Sequence, residues 1–404
     1  MTVRLYYEDS YLTRFSANVI DLFASNAQTA VVLDQTAFYP TSGGQPYDTG
    51  VLGTSRVIKV EEDDSGRVTH ILDSPLPLGP TSGLIDWSRR FDHMQQHTGQ
   101  HILSQAFVQV AQLPTVSFHL GTETSTIDLE QPVASNSLIQ EVEELASRIV
   151  FEDRAVHTLT VGAGDLAALG VRKESQRTGD IRVIDVEGFD RSPCGGTHVR
   201  RSGEIGLVSI LGHERYKGGT RVEFACGGRA LRILRTDHGI LKALGNLYSG
   251  KLEDLHRLAT KVLEERSQLG RENSRLREEL LDFEARELLL AARKITGLLI
   301  VRKSFTNRDL ESLKILAQRL AARGGVLALL ALVNDTGQVV VARSRDIAGD
   351  CGDAVKKTAA RLGGRGGGRP ELAQAGGLPA EGLENWLQNV EDCFIHPAGK
   401  ETPH

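Results

Sequence analysis

Two short stretches decide how this chain is built: CGGTH at residues 194–198 and HTGQH at residues 97–101. Residues four positions apart share one face of a helix, so His97 and His101 can hold one ion together. In CGGTH, a thiolate and an imidazole stand four residues apart, and the glycines between them let the chain turn tightly. Nitrogen and sulfur ligands in this combination favour zinc. The sequence therefore predicts that both stretches meet around one zinc ion.

The histidine spacing leaves alternatives open. His93 lies four residues before His97, so three histidines follow one stripe of the predicted helix. The first and the last would lie about 12 Å apart along the axis, too far for one ion. Only one adjacent pair can therefore chelate. Without a metal, the same residues would form a solvated or hydrogen-bonded helix face and a buried free cysteine beside a glycine turn.

The composition limits the class of protein. The 404 residues suffice for two or three domains, and the net charge of -5 means that any contact with nucleic acid must come from local patches. The four cysteines show no paired spacing, which favours a reduced, cytoplasmic protein. The N terminus has no apolar signal core, and no run of about 18 apolar residues occurs. We therefore expect a soluble protein that is neither exported nor bound to a membrane.

The N-terminal region, residues 1–90, has the pattern of a β-rich domain. In LDQTAFYPTSGGQPYDTG (residues 33–50), a buried strand leads into a cluster of glycine-rich turns. A hairpin is predicted with its turn at residues 64–66, Asp-Ser-Gly. Together these features favour a small barrel over a helical domain.

The next region, residues 91–235, predicts an α+β domain. Apolar residues recur at a helical period from Trp87 to about Gln112. A second helix is predicted over residues 137–153, with Ser137 as its N-cap. Strand patterns follow both helices, so we expect two helices packed against a sheet.

A charged segment at residues 251–294 predicts a long helix inside a linker, residues 236–294. Apolar residues recur there every seven positions, at Leu255, Val262, Leu269, Leu276 and Phe283. The companion heptad positions are mostly polar, so the apolar seam is thin. The helix could fold back as a hairpin or contact a partner, and a homodimer through this linker or the C-terminal domain is one such arrangement.

The last region, residues 295–404, alternates strands and helices and predicts a C-terminal α/β domain. Its stretch GGRGGGRPELAQAGG (residues 363–377) is predicted to be too glycine-rich to pack as a helix or a strand. Arg361, Arg365 and Arg369 are spaced by glycines there. They could lie on RNA phosphates, or they could belong to a solvated loop.

HTGQH together with CGGTH resembles the editing domain of alanyl-tRNA synthetase and of its freestanding relatives, the AlaX proteins. Residues 33–50 resemble the glycine-rich barrel of that family, and ERYKGGTRVEF (residues 214–224) resembles the segment after its CxxxH loop. Residues 363–377 resemble the end of the domain that alanyl-tRNA synthetases share with DHH-type phosphoesterases. The resemblance implies a multidomain α+β, long-form AlaX protein with four parts: a barrel (1–90), a zinc-binding editing core (91–235), a helical linker (236–294) and a DHHA1-like domain (295–404).

The resemblance also implies an activity. AlaX proteins hydrolyse the ester between a wrong amino acid, chiefly serine and as a second candidate glycine, and the 3′ end of tRNA(Ala). Only about 34 residues precede the barrel motif, so we expect no aminoacylation domain and no aminoacylation. By correspondence with the family, the Zn²⁺ ligands are His97, His101, Cys194 and His198, which leaves His93 outside.

Four further residues are candidates near the substrate. Thr98 and Ser117 are candidate contacts for the serine hydroxyl, although each hydroxyl could equally bond to backbone. Gln45 could orient water or shape the substrate entrance, or it could simply belong to a turn. His119 could approach the pocket, but a structural histidine with satisfied hydrogen bonds is the favoured interpretation.

Two rival functions remain compatible with the sequence. The chain could be a noncatalytic, zinc-containing tRNA-binding protein that keeps the fold. It could also be an editing hydrolase for another mischarged tRNA, such as threonine tRNA that carries serine. Deacylation assays across purified tRNAs would separate these functions from the hydrolysis of mischarged tRNA(Ala).

Overall fold

The computed structural model contains two compact units, Met1–Leu247 and Tyr248–His404. It describes residues 2–25, 28–173, 179–334, 336–361 and 363–396. No helix within these ranges combines the length and the apolar character needed to cross a membrane.

The first unit opens with a closed six-stranded barrel. The elements of this region are β1 (Val3–Arg4), α1 (Leu5–Glu8), β2 (Arg14–Ser25), β3 (Gln28–Leu33), β4 (Gln35–Thr36), β5 (Gly50–Leu52), β6 (Ser55–Glu62), β7 (Val68–Leu72) and β8 (Gly79–Ile85). The barrel runs β2-β3-β7-β6-β5-β8 and closes between β8 and β2. Alternating apolar residues such as Phe15, Leu33 and Leu72 fill its interior. The predicted small barrel is therefore confirmed, including the turn between β6 and β7, where Gly66 has φ +79°.

The rest of the first unit packs helices against two antiparallel sheets. Its elements are α2 (Trp87–Ala111), β9 (Thr115–Leu120), β10 (Ser125–Leu129), α3 (Asn136–Phe151), β11 (Val156–Gly162), β12 (Asp180–Val186), β13 (Asp190–Pro193), β14 (Val208–Tyr216), β15 (Gly219–Cys226) and α4 (Gly227–Leu247). The sheets run β14-β15-β10-β9 and β11-β12-β13. Helix α2 lies in the centre, because its residues from His93 to Phe107 are almost all buried.

The N-cap of α3 corrects one prediction. Ser135, and not Ser137, accepts a hydrogen bond from the backbone N–H of Leu138 (3.3 Å). The cap therefore lies two residues earlier than predicted, and the helix begins at Asn136. Two nearby serines offered the same capping chemistry, and the extended backbone at Ser135 selects the first of them.

A buried ion pair fixes helix α2 to the barrel. Arg90 on α2 and Asp48 in the barrel are both fully buried, and the Arg90 Nε lies 3.0 Å from Asp48 Oδ2. The guanidinium also donates to the carbonyl oxygen of Ser10 (2.8 Å). A buried charge needs such complete hydrogen bonding, so this contact sets the position of α2 relative to the barrel.

The second unit is built on a long helix and a six-stranded mixed sheet. Its elements are α5 (Leu255–Leu290), β16 (Arg293–Ile295), β17 (Leu298–Phe305), α6 (Leu310–Ala321), β18 (Val326–Val333), β19 (Gly337–Arg343), α7 (Cys351–Ala360), β20 (Arg365–Arg369), β21 (Leu372–Leu378) and α8 (Leu383–Ile395). The sheet runs β16-β17-β18-β19-β21-β20; among the described residues, β17 and β18 pair in parallel and its other neighbouring strands pair antiparallel. The predicted long helix is present as α5, which has 36 residues.

The prediction that residues 363–377 are too glycine-rich to form a helix or a strand is wrong, because this stretch forms the antiparallel strands β20 and β21. The reason is close packing. A Cβ at Gly366 would lie 2.7 Å from Val355 Cγ1 on α7 and 2.6 Å from Ala375 Cβ. Glycine is needed because β20 runs against the helix with no room for side chains on that face.

Candidate metal centre

Four side chains from two distant segments meet in the first unit. Helix α2 places His97 and His101 one turn apart, and the loop after β13 carries Cys194 and His198. One ligand atom from each residue lies within 4.8 Å of all the others. The Cys194 Sγ is 3.4 Å from His97 Nε2 and 3.3 Å from His198 Nε2. The two stretches that were predicted to converge do lie together.

His93 lies outside this cluster. The side chain is buried, and its Nδ1 has no hydrogen-bond partner among the described residues. Burial, together with the positive charges of Arg89 and Arg229, lowers the pKa of His93 to about 3. His93 is therefore a neutral histidine of the helix packing.

The Nδ1 atom of each clustered histidine has its own hydrogen-bond partner. The three pairs are His97 with Gln45 Oε1 (2.8 Å), His101 with Asp190 Oδ2 (3.0 Å) and His198 with Thr98 Oγ1 (3.1 Å). These bonds occupy the outer nitrogens, so the Nε2 atoms of His97 and His198 remain free to face the thiol. Partners of this kind fix the orientation of metal-binding histidines.

Asp190 is itself held in place from two sides. The Arg172 Nε donates to Oδ1 (2.7 Å), and the Ser192 hydroxyl donates to Oδ2 (3.1 Å). Burial opposes charge on both Asp190 and His101, but it is outweighed by their mutual hydrogen bond and attraction together with Arg172 beside Asp190 and Cys194 beside His101. The pKa of Asp190 is consequently lowered, and that of His101 is raised to about 9.

The donor set fits a zinc ion. Three imidazoles and one thiolate are ligands that zinc accepts, and tetrahedral ligands at about 2.0–2.3 Å from zinc are separated by about 3.3–3.8 Å. Burial raises the pKa of the Cys194 thiol, but the electrostatic influence of His97 and His198, together with hydrogen bonds to His101 and His198, outweighs it and holds that pKa well below its ordinary value. The site therefore favours the thiolate, which is the form that binds metals.

A cavity of about 660 Å³ opens beside the cluster. His97 and Cys194 form part of its wall, and aromatic side chains form another part: Tyr7, Tyr39 and Phe118. Polar and charged residues complete the lining, with Thr41, Ser42, Glu62, Asp63, Asp64, Lys173, Asp180 and Arg182 among them. The cavity is large enough for an organic substrate, and the cluster would lie at its wall.

Arg182 supports the loop that carries Cys194. Its Nη1 donates to the carbonyl oxygens of Cys194 (2.9 Å) and Gly196 (2.7 Å), and its guanidinium lies over the Tyr7 ring, 5.6 Å from the centroid. Neither Arg182 nor Asp190 was predicted from the sequence. Asp190 stands four residues before Cys194, and a carboxylate so close to a CxxxH motif is the signal that could have identified it.

The other predicted site residues have different surroundings. Gln45 and Thr98 are fully buried behind the cluster, and Thr98 Oγ1 also accepts a hydrogen bond from the backbone N–H of Val199 (3.2 Å). Ser117 lies on the face of β9 opposite Phe118 and donates to Asp128 Oδ2 (2.6 Å). His119 is exposed on the same face as Ser117. Ser117 is thus not brought to the cluster.

The three candidate RNA-binding arginines belong to the second unit. Arg365 and Arg369 are exposed at the two ends of strand β20, and Arg361 follows α7. Alternation along the strand places Arg365, Gly367 and Arg369 on one face. A Cβ at Gly367 would meet nothing within 4 Å, so this face is open.

Family models match three parts of the chain. Residues 6–75 match the class II (A) tRNA synthetases, residues 181–223 match the threonyl and alanyl tRNA synthetase second additional domain, and residues 298–395 match the DHHA1 domain. The barrel, the cluster-bearing core and the C-terminal sheet each fall within or overlap one of these matches. The chain is therefore of the class that joins the accessory domain of these synthetases to a DHHA1 domain.

Relatives with similar sequences show which family of this class the chain belongs to. The alanyl-tRNA editing protein AlaX-L of Pyrococcus horikoshii is 30% identical over 93% of this chain and 94% of its own. The alanine–tRNA ligase of Pyrococcus furiosus is 33% identical, and the editing protein Aarsd1-A of Xenopus laevis is 34% identical over 55% of both chains. This chain belongs to the AlaX family of alanyl-tRNA editing proteins, in its long form. The match to the Pyrococcus furiosus ligase covers 92% of this chain. The chain therefore spans 42% of the length of that ligase.

Proposed function

We propose that the chain is a trans-editing hydrolase that removes a wrong amino acid from mischarged tRNA(Ala), with serine as the main and glycine as the second candidate. The observation that carries this proposal is the cluster of three histidines and Cys194, of which His97 and Cys194 line the cavity. The name of the Pyrococcus horikoshii relative, an alanyl-tRNA editing protein, supports the same activity.

The proposed cofactor is Zn²⁺, held by His97, His101, Cys194 and His198. When bound, it would supply a Lewis acid that polarises the ester carbonyl or acidifies a water molecule. The residues of the chain have separate tasks. Arg182 holds the loop of Cys194 through two carbonyl oxygens, and the rings of Tyr7 and Phe118 offer faces on which the terminal adenine can pack.

Discrimination between serine and alanine would come from hydroxyl groups near the cluster. A pocket whose polar groups are arranged for a substrate hydroxyl rejects the analogue that lacks it. Thr41 and Ser42 line the cavity and are the direct candidates. Thr98 is bonded to His198, so we propose that it influences selectivity through the position of that imidazole.

The test is deacylation by zinc-loaded protein of tRNA(Ala) that carries serine, glycine or alanine. Hydrolysis much faster for serine than for alanine supports the proposal, and the Cys194→Ala variant should be inactive. Tight tRNA binding without hydrolysis would instead indicate a noncatalytic tRNA-binding protein. Preference for seryl-tRNA(Thr) would indicate an editing hydrolase for another tRNA.

The proposed tRNA contact outside the cavity involves Arg361, Arg365 and Arg369. The chain has a net charge of -5, so local groups of arginines must supply the attraction to phosphate. Arg365 and Arg369 offer such a group on the open face of β20.

A further inference from the structure

Gln45 belongs to the barrel, but its side chain points to the metal centre of the core. It ends a tight turn, in which its backbone N–H donates to Ser42 O (3.0 Å). Gly43 and Gly44 make that turn possible, since both have positive φ, +53° and +82°. Gln45 is fully buried, with 0% of its surface exposed. Its amide is therefore placed to contact protein atoms and not a substrate.

The hydrogen bonds of Gln45 determine which way its amide points. The backbone N–H of Thr197 can only donate, and it lies 3.1 Å from Oε1. The Nε2 correspondingly donates to the Thr197 hydroxyl (2.8 Å). The bond from the backbone N–H requires the orientation in which the amide oxygen faces His97, and the bond to the hydroxyl is compatible with it.

That orientation fixes the tautomer of His97. The same Oε1 lies 2.8 Å from His97 Nδ1, and an amide oxygen can only accept. The proton of the neutral imidazole must therefore be on Nδ1. The Nε2, which lies 3.4 Å from Cys194 Sγ, is left with its lone pair, as a metal ligand requires.

Gln45 also joins the two segments that carry the ligands. His97 belongs to α2, whereas Thr197 lies between Gly196 and His198 in the loop after β13. A Cβ at Gly196 would be 2.9 Å from Gln45 Oε1, so the loop packs directly on the amide. One side chain from the barrel thus contacts both halves of the ligand set.

We infer that Gln45 is a positioning residue, which sets the His97 tautomer and holds helix α2 against the CGGTH loop, so that metal uptake depends on the barrel. The inference rests on the proposed zinc-dependent function. Hydrogen-bond partners of metal-binding histidines typically change metal affinity by about 10- to 100-fold. Gln45 should contribute an effect of that size even though it does not contact the ion.

The experiment compares zinc affinity, measured by competition with a chelator, in the full-length protein and its variants. Gln45→Leu removes the acceptor and should weaken binding about 10- to 100-fold. Gln45→Glu keeps an oxygen for both N–H donors, and the Thr197 hydroxyl can reverse its bond and donate. It should therefore bind zinc within about threefold of the unmodified protein. The control is Gln35→Leu, because the Gln35 amide bonds Ser16 O within the barrel.

Two further measurements, of the His97 tautomer and of the fold, complete the test. Nitrogen-15 NMR of zinc-free protein should show His97 protonated at Nδ1 in the unmodified chain and in Gln45→Glu, and a mixture of tautomers in Gln45→Leu. Circular dichroism of each variant checks the fold. If Gln45→Leu is folded and binds zinc as tightly as Gln35→Leu, or if Gln45→Glu loses as much affinity as Gln45→Leu, the inference is overturned. Unmodified protein that takes up no zinc would overturn the proposed function itself.

Discussion

The two glycines of the CGGTH loop should respond very differently to alanine. In Gly196→Ala, the new methyl carbon would lie 2.2 Å from His97 Cε1 and 2.3 Å from His97 Nδ1. The imidazole must withdraw by about 1.2 Å to reach the 3.4 Å of an ordinary van der Waals contact. Overpacking of this kind costs about 1–3 kcal/mol. Because 1.4 kcal/mol is tenfold, we expect zinc affinity to fall by about 5- to 150-fold.

Gly195→Ala is the matched control, since its methyl carbon would meet only Tyr7, at 3.4 Å from Oη. Neither glycine has a positive φ, so backbone strain does not distinguish them. The assay is chelator competition on both variants, with deacylation of seryl-tRNA(Ala) measured in parallel. The Gly195→Ala affinity should stay within about twofold of the unmodified protein. Equal losses in both variants would refute the idea that the loop packs on His97 without spare room.

Three more predictions concern stability and assembly. Burial lowers the pKa of His70 to about 4, so the folded protein resists protonation of this residue. The free energy of unfolding should therefore fall by about 3 kcal/mol as the pH falls from about 6.5 to 4. In His70→Gln, the free energy of unfolding measured with urea should depend less on pH across that range. Arg90→Met should lower the free energy of unfolding by about 3–5 kcal/mol because it leaves Asp48 buried and unpaired, whereas Arg67→Met at an exposed pair should cost less than about 1 kcal/mol in the same titration. Helix α5 exposes apolar heptad positions, so we expect the protein to sediment as a homodimer. The homodimer should be lost when these positions are made polar, and sedimentation of the unmodified protein as a monomer would contradict this prediction.

The meeting of the four candidate metal ligands was predictable because their signals are local. HxxxH on an apolar-periodic segment and CxxxH around two glycines each identify a ligand pair within five residues. Which histidine each supporting residue contacts was not predictable, because Gln45 is 52 residues from His97 and Asp190 is 89 residues from His101. Only the folded barrel and β13 bring these partners together, and no spacing rule applies to them.

Thr98 and the glycine-rich stretch at 363–377 show the same limit. The sequence suggested Thr98 as a contact for the serine hydroxyl of a substrate, whereas in the structure its hydroxyl lies 3.1 Å from Nδ1 of His198, which belongs to another segment. Residues 363–377 have the composition of a loop, and their glycines are nevertheless required by the neighbouring helix α7. In both cases the deciding contact comes from outside the stretch that was interpreted.

The open face of strand β20 carries the last prediction. Arg365 and Arg369 lie four residues apart on this face, about 13 Å along the strand, and Gly367 between them leaves the space free. If both arginines contact tRNA phosphates, each contributes about 0.7–0.9 to the slope of log affinity against log salt concentration. The double variant Arg365→Ala/Arg369→Ala should therefore bind tRNA more weakly and lose about 1.4–1.8 of that slope.

Two variants separate charge from packing. Gly367→Asp adds a negative charge where a side chain meets nothing within 4 Å, so it should weaken tRNA binding without disturbing the fold. Arg323→Ala, which removes an exposed arginine after α6 in the same unit, is the control and should leave the slope unchanged. Zinc affinity should be the same in all of these variants, because the four ligands lie in the first unit. If the double variant binds tRNA with the affinity and salt slope of Arg323→Ala, β20 does not contact RNA, and its glycines serve only the packing against α7.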